Sequence, residues 1–229
     1  GNKDPFGLRR AALGLLRILV EDRVDLDLPA LLARAVALQP AAAKDPTALA
    51  GELYDFIMER GRAWYLEGLA PSLPAGAVTA EIFESVRVRR PASMVDCHAR
   101  LVGVRAFLGL PEAESLAAAN KRIANLLRTA GAGGNQVDPA LFEAGEERAL
   151  HAAIEGVGDA HRRHLAQRDY QNALAGLAGL KQPVDAFFDA VLVMAEQPAV
   201  RTNRLAQLRR LQQLFLDVAD LSCLPAPGA

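Results

Sequence analysis

Apolar residues recur in this chain at spacings of three and four, and that rhythm constrains the fold more than any other feature. Leu8, Ala11, Ala12, Leu15, Leu16 and Leu19 open the series. Such spacing lines one face of a helix with 3.6 residues per turn, whereas a half-buried strand would alternate every second residue. The residue types agree. Hydrophobic residues make up 51% of the chain and aromatics only 5%. The apolar set is mainly Ala, Leu and Val, and the first two are the strongest helix formers. Long runs of Val, Ile, Thr and Tyr are missing. The expectation is an all-α protein, and 229 residues suffice for one large domain or two small ones.

Punctuation divides the rhythm into elements. Asp4-Pro5 reads as a helix start, with a carboxylate for the free N–H groups and a proline at the first helical position. Lys3, Arg9, Arg10 and Arg17 are the polar members of this helix, which should end near Asp22. A short helix over 29–38 follows. Asp45-Pro46 repeats the start device, ahead of Leu49, Leu53, Phe56, Ile57 and Trp64. Two prolines and two glycines make 68–76 a loop. Ile82, Phe83 and Val86 mark another short helix, and Pro91 opens one to about Leu108.

Gly109-Leu110-Pro111 is a break, so the expected division is a helical region over 1–110 and a second lobe over 111–225, with a disordered tail at 226–229. In the second lobe a long helix over 111–130 should stop at 131–135, the most flexible segment by glycine content. Helices over 146–166, 170–180, 183–194 and 198–221 complete the multi-helix bundle, with Asp169 and Gln197-Pro198 as starts.

A net charge of −1 excludes bulk electrostatic attraction to nucleic acid, so any such contact needs a local patch. Cys97 and Cys223 form no CxxC pair, which fits a reducing cytoplasm rather than a disulfide framework or zinc site. No apolar run has membrane-spanning length, and no membrane contact is expected. The polar opening carries no signal peptide and no initiator Met, as in an excised fragment.

His161 and His164 stand one turn apart in metal-ligand spacing, but Arg162 and Arg163 between them would repel a cation, so a solvated face is expected. Cys97 and His98 are adjacent on a helix and point about 100° apart, which rules out a nucleophile–base pair. The glycines of 131–134 lack the Gly-Lys-Ser/Thr ending of a phosphate loop. Basic residues remain: Lys121, Arg122 and Arg128 on the long helix, and Arg201 and Arg204 one turn apart beside Asn203. On charge alone these read as solvated faces with local ion pairs.

Longer runs resemble a known family. Residues 1–14, Gly-Asn-Lys-Asp-Pro-Phe-Gly-Leu-Arg-Arg-Ala-Ala-Leu-Gly, are similar to the G-x-K-D-P-F-x-L-R-R-A-A-L-G run of bacterial glycyl-tRNA synthetase β subunits. Ala117-Ala118-Ala119-Asn120-Lys121-Arg122-Ile123-Ala124-Asn125-Leu126-Leu127 resembles their A-A-A-N-K-R-x-x-N-I-L helix. Tyr170-Gln171-Asn172-Ala173-Leu174, Pro183-Val184-Asp185-Ala186-Phe187-Phe188-Asp189, Arg201-Thr202-Asn203-Arg204-Leu205 and Val218-Ala219-Asp220-Leu221-Ser222 resemble further steps in the same order. Val191-Leu192-Val193-Met194-Ala195-Glu196-Gln197 departs slightly from V-M-V-M-A-E-D.

The resemblance implies the C-terminal part of a β subunit working in an α2β2 glycine–tRNA ligase in the cytoplasm. The α subunit would carry aminoacylation together with ATP and Mg, leaving no catalytic residue, metal or cofactor in this fragment. The second lobe would be an anticodon-binding helical bundle like that of arginyl-tRNA synthetases, named for the motif Asp-Ala-Leu-Arg. Its opening A-x-A-R-I helix would place Arg122 at the arginine, while Ala118 stands where that enzyme usually has an aromatic residue. The first lobe would be the end of an HD-type helical domain plus a connection, without that domain's metal motif.

The partner implied is the anticodon end of glycine tRNA. Lys121, Arg122, Arg201 and Arg204 are the candidates for backbone contacts, and Asn203 for a base contact or a capping bond. The anticodon cytosines need acceptors for their N4 amines, which the amide oxygens of Asn120, Asn125 and Asn203 offer. Arg122, Arg201 and Arg204 are expected together on an exposed electropositive face. The alternative for Arg204 is a structural ion pair, with Asp185 or Asp189. The alternative for the chain is a helical scaffold that holds subunits together without touching RNA.

Overall fold

The computed structural model describes residues 4, 6–39 and 45–225. The expectations for Pro5, for Lys3 and the rest of the opening 1–3 run, and for the 226–229 tail lie outside the described residues. Among the described residues the regular structure is helical, and its one β-type pairing is an isolated Ala70–Leu73 bridge inside the 68–76 loop.

The chain divides into two compact units, Gly1–Val102 and Gly103–Ala229. The first contains α1 (Leu8–Glu21), α2 (Leu28–Ala37), α3 (Pro46–Leu66) and α4 (Ala80–Arg87). The dividing point falls inside α5 (Met94–Phe107), ahead of the Gly109–Pro111 break. That break separates α5 from α6 (Ala113–Ala130). The second unit continues with α7 (Gly145–Ala166), α8 (Tyr170–Ala175), α9 (Lys181–Ala190) and α10 (Pro198–Leu216).

In the first unit α3 packs against α1, α2 and α4. Asp45 caps α3 by accepting the N–H groups of Thr47 and Ala48, both at 3.0 Å. The first helix starts at Leu8, later than its sequence suggests, because Gly7 at φ +68° breaks the helical path. Asp4 still accepts the N–H of Arg9, at 3.3 Å. Cys97 is buried, and burial pushes its thiol up to about 12, so it is no nucleophile. His98 Nδ1 meets the Tyr65 hydroxyl at 3.2 Å.

In the second unit α7 packs against α8, α9 and α10, and α6 against α9 and α10. Phe107 meets Phe215 edge to face, with centroids 6.3 Å apart. Asp169 caps α8. The single helix expected over 170–180 breaks after Ala175 and resumes as a 3-10 turn, Ala178–Leu180. The helix expected over 183–194 runs from Lys181 to Ala190, so 191–197 is irregular. Pro183 fits the first turn of α9, where its missing N–H has no partner to lose. The last helix ends at Leu216 rather than 221, and Asp220 caps a 3-10 turn, Leu221–Cys223.

Two side-chain expectations are corrected here. His161 is buried rather than solvated: its Nδ1 donates to the Ala173 carbonyl at 3.2 Å, holding α7 to α8. The glycine segment is tied down rather than loose. Arg209 donates to the carbonyls of Gly131, at 3.0 Å, and Gly134, at 3.3 Å. A Cβ on Gly133 would lie 2.7 Å from that guanidinium, which is why a glycine suits the position.

Candidate nucleic-acid interface

The α6 sequence separates into two faces. Ala113, Leu116, Ala117, Asn120 and Ile123 are buried at spacings of three and four. Lys121, Asn125, Arg128 and Thr129 fall on the outer side and are exposed, and so is Arg122. A shallow surface groove is lined by Lys121, Arg122, Asn125, Leu126, Thr129 and Met194. It mixes cations and an amide with apolar surface. No ion pair engages Lys121, Arg122 or Arg128 among the described residues. Arg162, Arg204 and Arg210 by contrast are each paired with acids.

Arg122 lies over the ring of Phe188 on α9, its guanidinium carbon 4.1 Å from the ring centroid. Phe188 is half-buried and sits edge to face with the buried Phe187 at 5.7 Å. Adjacent helical residues diverge by about 100°, and on α9 Phe187 faces the core while Phe188 is left at its edge. Phe188 is the one left over, and it becomes a shelf beneath Arg122.

The other candidates do not join this face. Asn120 belongs to the buried stripe, and its Nδ2 donates to the Leu116 carbonyl at 3.0 Å. The expectation of a base-reading amide there is corrected: register with Leu116 and Ile123 turns it inward. Asn203 is buried too, with Oδ1 accepting the Asp138 N–H at 2.8 Å and Nδ2 donating to the Asp138 carbonyl at 3.0 Å. Of its two expected roles, the structural bond is the one formed.

Arg204 is the main correction. It is 6% exposed, not on the surface. Nε donates to Glu147 Oε1 at 2.9 Å, Nη2 to Glu143 at 2.8 Å, and Nη1 to the Leu192 carbonyl at 3.0 Å. The anticipated ion pair exists, but its acids are Glu147 in the first turn of α7 and Glu143 just before that helix, rather than residues of α9. Burial alone would raise the Glu147 carboxyl. The Arg204 guanidinium and the N–H groups of Ala144 and Glu143 outweigh that and hold it below its ordinary value. Arg201 is half-buried, and its Nη1 donates to the Ala195 carbonyl at 3.1 Å.

Arg201 and Arg204 therefore bracket the irregular 191–197 segment from α10, at Ala195 and Leu192. That segment carries Met194 into the groove along α6. Phe188, Thr129 and Met194 were not singled out in the sequence. The paired Phe187-Phe188 is the signal that could have found the shelf, whereas nothing local marks Met194.

Among the described residues no three His, Cys, Asp or Glu side chains are grouped to hold a metal ion, and no helix is long and apolar enough to cross a membrane. What α6 presents is positive charge beside a flat, aromatic-backed cation, a combination suited to a polyanion with exposed bases.

Residues 1–80 match the family model described as glycyl-tRNA synthetase beta subunit, and residues 116–225 the one described as DALR anticodon binding domain. The chain is 48% identical to the glycine–tRNA ligase beta subunit of Ectopseudomonas mendocina, 44% to that of Pseudomonas fluorescens and 46% to that of Pseudomonas putida. Each alignment covers 98% of this chain and 32% of the relative, so the chain spans about a third of the length of these curated relatives. The order of motifs, the helical second unit and these identities lead to one conclusion: the chain belongs to the glycyl-tRNA synthetase β-subunit family and carries a DALR-type anticodon-binding domain.

Proposed function

We propose that the second unit grips the anticodon end of glycine tRNA through the outer face of α6. The observation that carries this reading is the set of exposed cations Lys121, Arg122 and Arg128, none in an ion pair among the described residues, beside the groove ending at Met194. An anticodon loop presents closely spaced phosphates and splayed bases, which such a face matches in charge and in chemistry. The chain then serves as the tRNA-binding portion of a cytoplasmic glycine–tRNA ligase. Glycyl transfer, ATP and Mg belong to an α subunit in an α2β2 assembly, and this chain contributes no catalytic group or metal ligand.

The test is filter binding of glycine tRNA by the full-length protein at two salt concentrations. Replacing Lys121 and Arg128 together by Ala should weaken binding and reduce the salt slope by about two, roughly one per lost phosphate contact. An unchanged affinity would defeat the reading.

A second reading treats the chain as an assembly scaffold. The first unit favours it with an apolar groove between α1 and α3, lined by Leu8, Ala11, Leu15, Leu49, Leu53 and Phe56. The same double substitution separates the two, because a pure scaffold would keep its tRNA affinity unchanged.

A further inference from the structure

We propose that Arg122 is a stacking shelf for an unpaired base of the RNA loop, rather than a clamp on a phosphate. This deepens the α6 reading above and rests on it. The carrying observation is the close approach itself: the guanidinium carbon lies over the Phe188 ring, 4.1 Å from its centroid, while the residue stays exposed. The ring is anchored from below by the buried Phe187.

A guanidinium is planar and more weakly hydrated than an ammonium, and it stacks on aromatic faces. Phe188 covers one face of it and limits its rotamers. The opposite side is left as a flat, preorganised cationic surface on which a base can lie. An unpaired base has two open faces and gains by covering such a plane, whereas a paired base in a helix has none to offer. The neighbours divide the work. Lys121 is a point charge on a flexible stem, suited to a phosphate, and Leu126 and Met194 supply apolar wall for the base edge.

Ala118 lines the same groove and offers no ring of its own. The stacking surface here comes from another helix, with Phe188 of α9 beneath Arg122 of α6. Because every base has a π face, this shelf adds affinity for an open loop without choosing among bases.

The test uses the full-length protein with two probes: the anticodon stem-loop of glycine tRNA, and a duplex of equal length with no loop. Arg122→Lys keeps the charge and loses the plane. It should weaken stem-loop binding roughly tenfold, nearly as much as Arg122→Ala, with an unchanged salt slope and unchanged duplex binding. Phe188→Leu keeps apolar bulk but removes the cation–π support, and should weaken the stem-loop roughly threefold. A 2-aminopurine in the loop should be quenched on binding by the unaltered protein and lose that quench with Arg122→Lys. Wild-type affinity in Arg122→Lys, with a salt slope reduced by about one in Arg122→Ala, would overturn the shelf in favour of a phosphate contact. If the Arg122 variants change nothing while Lys121→Ala still weakens binding, the shelf fails and the α6 reading stands. If all of these variants bind normally, both fall.

Discussion

The guanidinium of Arg204 and the carboxylate of Glu147 meet at 2.9 Å, in a place where Glu147 is fully buried and Arg204 nearly so. The pair fastens α10 to the start of α7. It also sets where the 191–197 segment runs, because the same guanidinium holds the Leu192 carbonyl. The carboxylate is satisfied on its other side by the N–H groups of Glu143 and Ala144, at 2.9 and 2.8 Å. Gln207 adds a bond from its Nε2 to the Glu147 carbonyl at 2.8 Å.

Removing one partner of such a pair leaves a buried charge unmatched. Arg204→Ala should therefore cost about 3–5 kcal/mol of stability. A surface arginine devoted to RNA would cost less than about 0.5 kcal/mol. Urea denaturation of the purified variant decides between them, and an unshifted midpoint would show that Arg204 does not hold the unit together.

The same pair fixes the sign of a pH dependence. The Glu147 carboxyl sits below its ordinary 4.5 in the folded protein. Its contribution is thus complete above that value and declines as pH falls through the lower, folded one. Glu147→Gln should start from a lower stability and flatten the acid limb below about pH 4.5. Denaturant midpoints from pH 6 down to pH 3 provide the check, and parallel curves for the two proteins would contradict it.

Asn203 forms a two-point clamp on the Asp138 backbone. Asn203→Ala would leave the Asp138 N–H without a partner and its carbonyl with the Leu141 N–H alone, at a cost of about 1–3 kcal/mol. Faster hydrogen exchange at the Asp138 amide is the local signature. Protection equal to that of the unaltered protein would refute the clamp.

Gly133 and Arg209 should behave as one unit. A Cβ at 133 displaces the guanidinium and with it the bonds to Gly131 and Gly134, so Gly133→Ala and Arg209→Ala remove the same interaction. Each should cost about 0.5–1 kcal/mol, with the double variant no worse than either alone. Simple additivity in the double-mutant cycle would mean that the two act separately.

Local chemistry made most helices legible. Asp45-Pro46 and Asp169 act as caps because a carboxylate near free N–H groups needs no distant partner. The α7 span, Gly145–Ala166, agrees with the helix expected over 146–166. The outward placement of Lys121 and Arg122 was legible too, since α6 has a distinct buried stripe to set them against.

The same stripe places Asn120 inward, because its register with Leu116 and Ile123 outweighs its polarity. α10 offered no such contrast. Residues 203–208 are buried in succession, so Asn203, Arg204 and Gln207 are enclosed along with Leu205 and Leu208. A helix surrounded on nearly every side has no polar face from which exposure can be read. The sequence by itself determined the helical fold, its punctuation and the cationic face of α6, all of which depend on neighbours a few residues away. Only the tertiary structure decided that Arg204 is a buried strut while Arg122 is an exposed shelf. Those roles depend on which acids and which ring arrive from α7 and α9, and the arrivals are set by packing between helices rather than by spacing along one.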